Sequence, residues 1–174
     1  ISCLAYMIGH KEVDKAMSDA RVSGFLWAYF GEVVGTVPEV PGVDLEQYLH
    51  KLVNRFSNSH IRDTLQRLAE DGSMKLYNTM RGPILDRLAA GKSVDIIALG
   101  VAAFMRYMMG SDEDGQPIAI KDPLAAKLHP QIWKVFCANK SSKSVIMAVF
   151  GEDVAKKAKF VQAVDRWLTV IKDE

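Results

Sequence analysis

The chain has 174 residues, long enough for one ordinary domain with a substantial core. Its 22 basic and 21 acidic side chains nearly cancel, so no strong field draws it to nucleic acid or an anionic membrane, and neutral or small ligands fit better. Cys3 and Cys137 lie in apolar contexts without metal-site or disulfide spacing, which reads as buried free thiols in a reducing compartment, the cytoplasm.

The chain opens on ISCLAYMI, an apolar run at Ile1 with no initiator Met and no capping residue ahead of it. It is read as part of a longer protein. A basic leader and a small-residue cleavage site are both missing, which argues against a secretory signal. From there apolar residues recur at helical spacing with no sustained period-two alternation, so the expected fold is all-α, a single helical domain over residues 1–174. Ser18 or Asp19 caps a helix running to about Val34, with Phe25, Leu26, Tyr29, Phe30 and Val33 as its apolar stripe. Gly35, Pro38 and Pro41 break it. Asp44 with Gln47 three residues on forms a capping-box pattern for the next helix, whose stripe is Leu45, Tyr48, Leu49, Leu52, Val53 and Phe56.

Asn58 is expected to cap a following helix carrying Ile61, Leu65 and Leu68 on one face and Arg67 on the other, with Gly72 ending it. Further helices are expected at about Tyr77 to Ala90, locally broken at Pro83, and at Ser93 to Met109. The apolar run Val94 to Met109 contains Asp95 and Arg106 and falls short of the ~20 residues a membrane span needs, so it reads as a buried core helix. Asp122 with Pro123 should start a short helix to Leu128. Pro130 to Ala138, Ser142 to Val149 and Asp153 to Ile171 complete the set.

Most chemistry-bearing motifs are missing. Asp112, Asp114 and Gly115 suggest a calcium loop, but glycine would come too early and Pro123 would stand where the terminal Glu belongs, so an ordinary acidic turn is expected. His10, His50, His60 and His129 lack the i, i+4 spacing of a helical metal pair. Neither a glycine-rich phosphate loop nor a nucleophile elbow is present.

What remains is a basic pair. Arg67 lies near the end of a helix and Lys75 just past the Asp71-Gly72-Ser73 turn, which can fold both cations toward one place. Such a pair can hold the hydroxyls or carboxylate of a small polar ligand, Arg through a planar fork and Lys as a mobile donor. Alternatively, Arg67 pairs with Asp63 or Asp71 and compensates the helix C-terminus.

The stretch RFSNSHIRDTLQRLAEDGSMK, Arg55 to Lys75, resembles the core signature of the C-terminal domain of the mannitol dehydrogenase family, the long-chain polyol dehydrogenases. The likeness extends to SCLAYMIGHKEVDKAMSD, to PEVPGVDLEQY, and to Gly-Gln-Pro and Lys-Asp-Pro-Leu-Ala between Gly115 and Ala125. It implies a helical substrate domain paired with an N-terminal Rossmann domain that mainly binds the NAD or NADP. The reaction implied is hydride transfer between a secondary alcohol and a ketose. A lysine general base in a K-x-x-x-x-N-x-x-H pattern would end at or just before Ile1, so no catalytic residue is carried over. Arg67 and Lys75 match the family's substrate-contacting Arg and Lys within the frame of Leu68, Asp71, Gly72 and Ser73. The substrate is left open among mannitol, arabinitol, sorbitol, fructuronate and tagaturonate. The competing expectation is a non-catalytic helical interaction module that keeps the signature for packing.

Overall fold

The computed structural model describes residues 1–39 and 41–173, leaving aside the side chain of Asp173. Val40, inside the PEVPGVDLEQY match, and Glu174 lie outside the described residues. The helices are α1 (Ser2–Met7), α2 (Val13–Met17), α3 (Ala20–Val33), α4 (Leu45–Phe56), α5 (Leu65–Ala69), α6 (Gly72–Ala89), α7 (Asp95–Tyr107), α8 (Ala125–Cys137), α9 (Lys143–Phe150), α10 (Glu152–Ala155) and α11 (Ala158–Asp173). Among the described residues extended pairing is confined to the isolated bridges Glu12 with Thr64 and Ser111 with Pro117. The all-α expectation holds.

The apolar run of α7 is the axis of the larger core. Ile97, Ala98, Val101, Ala102, Phe104 and Met105 are buried there, and the small alanines let α11 lie close along it with Phe160, Val164 and Leu168. Each large side chain so buried contributes about 1.5–3 kcal/mol. A second, smaller cluster joins α1, α2, α3, α4 and α5 through Ala5, Val13, Val22, Leu26, Leu49 and Leu65, with Ile1, Phe56 and Leu68 against it. This second cluster carries the segment on which the functional argument turns.

Local caps form where the sequence places them. Asp19 Oδ1 accepts from Arg21 N at 2.9 Å and Asp44 Oδ1 from Gln47 N at 3.0 Å. The return half of the box at Asp44 is replaced, since Gln47 Oε1 accepts from Lys51 Nζ at 2.9 Å.

Several expectations need correction. Asn58 caps no helix: its Oδ1 accepts from His60 N at 3.0 Å in a local turn. The next residues are drawn out to pair with the α1–α2 link, Val13 N donating to Asp63 O at 3.1 Å and Leu65 N to Lys11 O at 2.9 Å. Helix α5 therefore starts only at Leu65, capped by Thr64. Gly72 does not end a helix but begins α6, which runs through Pro83 without a break. Helix α8 likewise continues through Pro130, joining two elements expected to be separate. The expected helix from Asp153 to Ile171 is divided into α10 and α11. Helices α1 and α2 carry no strong sequence signal and form because the rest of the second cluster covers them. Both cysteines are free, but Cys137 is exposed and Cys3 only partly buried.

Candidate functional site

The site starts from a short detour of the backbone. Glu70 leaves the helical region at ψ 142°, and Asp71 takes the left-handed conformation at φ 54°. Its N–H donates to Lys121 O at 3.0 Å. At Gly72 a Cβ would stand 3.0 Å from Phe104 Cε2 and 3.6 Å from Asp122 Oδ2. A side chain there would press on the Phe104 ring, so the close approach favours glycine. Ser73, nearly fully buried, gives both of its donors to Asp122: N to Oδ2 and Oγ to Oδ1, each at 2.7 Å. Asp122 Oδ1 also accepts from Leu124 N at 2.9 Å. Asp122 was expected only as a helix cap. Helix α8 in fact begins at Ala125, and the main load on Asp122 is the long-range clamp.

This clamp directs Lys75. Its N–H closes the first turn of α6 onto Asp71 O at 3.0 Å, and its ammonium donates to Leu68 O at 3.0 Å. Lys75 therefore lies against the carbonyl of the residue that follows Arg67, while the Arg67 guanidinium itself is turned to Asp63. Glu70 lies between their fields. Its carboxyl is held below the usual range first by a hydrogen bond from Lys121 and then by the charges of Lys121, Lys75 and Arg67. Lys121 Nζ stands 2.8 Å from Glu70 Oε1.

Arg67 is exposed and pairs with Asp63, its Nε donating to Oδ1 at 2.7 Å and its Nη2 to Oδ2. Of the two partners the sequence offered, Asp63 is the one used. The hydrogen bond from Arg67 holds the Asp63 carboxyl below its ordinary value, and the same bond raises the guanidinium further. Arg67 is thus a donor at every ordinary pH. Beside this pair lies a hollow of about 370 Å3 lined by Val13, Arg55, Phe56, Ile61, Asp63, Arg67 and Leu68. A smaller one of about 140 Å3, past Ser73, is lined by Met74, Tyr77, Asn78, Leu124 and Val149. Met74 and Tyr77 are exposed apolar residues on the first turns of α6.

Helix α1 flanks the same edge. Ile1 packs on the cluster that holds Leu65 and Leu68. Tyr6 OH donates to Gln66 Oε1 at 3.2 Å, while Gln66 Nε2 donates to Ala119 O at 2.8 Å. Burial pushes the Cys3 thiol up. The start of α1, the end of α5 and the start of α6 thus meet at one place. The sequence alone singled out Arg67 and Lys75 and offered Asp63 as a partner of Arg67, but missed the clamp that Asp122 makes on Ser73. The recurrence of Lys-Asp-Pro-Leu-Ala in the resemblance was the one available signal for it.

Residues 1–172 match the family model described as the mannitol dehydrogenase C-terminal domain. This chain belongs to the mannitol dehydrogenase family. Its similarity to other members is spread along the domain: it is 32% identical over 170 residues to the uncharacterized oxidoreductase YdfI of Escherichia coli, covering 94% of this chain and 34% of that protein. To the D-mannonate oxidoreductase of the same organism it is 31% identical over 166 residues, again covering 94% of this chain and 34% of the relative. The mannitol 2-dehydrogenase of Pseudomonas fluorescens, solved as a ternary complex with NAD and D-mannitol, superposes with a TM-score of 0.88 at 30% identity, covering 99% of this chain and 36% of that one. The chain thus spans about a third of the length of these relatives.

Proposed function

We propose that this chain is the substrate domain of an NAD- or NADP-dependent polyol or hexuronate dehydrogenase of the cytoplasm, acting with an N-terminal Rossmann domain of the same protein. Arg67 and Lys75 are the side chains that hold substrate oxygens. The observation that carries this is the clamped turn: Asp122 fixes Ser73, and through it Lys75 is set against Leu68 O beside Arg67. The mannitol 2-dehydrogenase relative that holds NAD and D-mannitol lends the substrate class and the cofactor. The D-mannonate oxidoreductase lends the sugar-acid alternative.

In this reading the residues of the chain bind and orient. The Arg67 guanidinium and the Lys75 ammonium donate to adjacent oxygens of an extended sugar chain, and two fixed donors determine which carbon stands at the reacting position. The bound nicotinamide supplies hydride acceptance, and no residue of this chain is assigned to holding it. Proton removal from the reacting hydroxyl belongs to the lysine that the family resemblance places ahead of Ile1. Positioning is this domain's share of the barrier reduction.

The test is Arg67→Ala and Lys75→Ala in the full-length enzyme. Loss of a hydrogen bond from a charged donor, about 1.5–3 kcal/mol, should lower kcat/KM for the polyol on the order of ten- to a hundredfold, with NADH affinity unchanged. An unaltered kcat/KM in both variants rules the assignment out and favours an interaction role for the exposed edge at Met74 and Tyr77.

A further inference from the structure

The Asp63–Arg67 pair is built more firmly than a surface ion pair needs to be. Between side chains that are 20% and 65% exposed, such a pair contributes little to stability. Yet Asp63 is anchored on every side: its carbonyl accepts from Val13 N at 3.1 Å, its N–H donates to Ile61 O at 2.8 Å, and its Oδ1 accepts from Thr64 N at 2.8 Å. The carboxylate is the fixed member and the long arginine stem the mobile one.

The pairing is also side-on. Nε and Nη2 of Arg67 both donate to Asp63, which uses the inner edge of the guanidinium and leaves the N–H groups of Nη1 and the outer one of Nη2. Among the described residues these remaining donors carry no hydrogen bond. They form a planar two-pronged edge of the kind that matches two neighbouring oxygen acceptors. Anchoring the inner edge removes most of the rotamer freedom that an exposed arginine would otherwise lose on binding.

We infer that Asp63 is a positioning residue for substrate binding: it holds Arg67 side-on so that the outer edge of the guanidinium meets two adjacent substrate oxygens. The inference rests on the proposed role of Arg67. The alternatives noted in the sequence, a substrate contact or an ion pair with Asp63, then describe one device. The pair is what makes the contact ready.

The test uses the full-length enzyme and four variants: Asp63→Asn, Arg67→Ala, the double variant and Arg67→Lys. Asparagine keeps the size and the acceptor for Thr64 N but removes the charge. Asp63→Asn should raise KM for the polyol on the order of tenfold, with a smaller change in kcat, unchanged NADH affinity and an unchanged circular dichroism spectrum. Because Asp63 acts only through Arg67, the double variant should be no worse than Arg67→Ala alone. Arg67→Lys keeps the charge without the planar fork and should match Asp63→Asn, which gives a readout even if the asparagine variant folds poorly. A normal KM in Asp63→Asn or Arg67→Lys, with Arg67→Ala impaired, overturns the positioning role and leaves the substrate role of Arg67 standing. Additive losses in the double variant overturn it as well. A normal Arg67→Ala overturns the functional proposal itself and this inference with it.

Discussion

Asp122 holds Ser73 with both carboxylate oxygens, at 2.7 Å each, across 49 residues of chain. This contact ties the Lys-Asp-Pro-Leu-Ala stretch to the Asp-Gly-Ser-Met-Lys stretch, two separate parts of the family likeness, and explains why both occur in one domain. The first donors of α6 are taken by a side chain from a distant loop, where a local capping residue would ordinarily serve.

Replacing Asp122 with Ala leaves the nearly buried Ser73 N–H and hydroxyl unpartnered. A cost of about 1–3 kcal/mol follows for each donor so stranded, and thermal melting should fall by several degrees. In the full-length enzyme KM should rise as well, because the turn that sets Lys75 is released. A variant that melts as wild type would show that the clamp is not needed.

Gly72→Ala tests the same turn from the packing side. The added Cβ would meet Phe104 Cε2 at 3.0 Å and Cδ2 at 3.3 Å, and Phe104 is buried in the core beneath. Overpacking of this kind costs about 1–3 kcal/mol, against a gain of up to about 1 kcal/mol in helix propensity. A net loss measured by denaturant titration is expected, and a net gain would mean that the ring moves freely.

Glu32 on α3 does for α7 what Asp122 does for α6. Val94 has no side-chain oxygen with which to cap α7, and Glu32 Oε2 accepts from Ile97 N at 2.7 Å instead. Arg87 stands beside that carboxylate, Nη2 lying 4.0 Å from Oε1, and its Nη1 donates to the main-chain carbonyl of Glu32. Glu32 is buried, so Glu32→Ala should cost about 1–3 kcal/mol by leaving the Ile97 N–H unpartnered, while Arg87 keeps its bonds to the main-chain carbonyls of Glu32 and Ser93. Equilibrium unfolding of the variant measures it, and a loss near zero would mean that solvent replaces the carboxylate.

Acid should unlatch the exposed pairs. Asp63 titrates below its ordinary 3.8 because Arg67 bonds its charged form, and Glu70 below its ordinary 4.5 because Lys121 does the same. A carboxylate depressed in the folded state adds stability above its unfolded value and loses it as pH falls through the folded one. The melting temperature should therefore be flat with respect to these groups near neutrality and decline below about pH 4. In Asp63→Asn that decline should be shallower. Equal slopes in the two proteins would remove Asp63 from the titration.

What could be read without the structure was what neighbours in sequence decide. Asp19 and Asp44 cap their helices through bonds to residues two and three positions on, and the apolar run of α7 buries itself wherever it is placed. Asn58 was misread because its side chain makes an equally local bond, to His60 N. Whether a helix follows was settled elsewhere, by residues 11–13 pairing with residues 63–65. Prolines 83 and 130 looked like breaks, yet α6 and α8 run through them, since one missing hydrogen bond is outweighed by a packed helix face.

The sequence by itself determined the all-α class, the family, and the two cations worth attention, because periodicity, caps and motif spacing are properties of short stretches. Only the tertiary structure decided how those cations are held. Asp63 is fixed by the α1–α2 link, Lys75 is set by Asp122, and Ile1 is packed on the second cluster that holds Leu65 and Leu68. Contacts between residues far apart in the chain cost loop entropy that only the assembled core offsets, so no local pattern announces them.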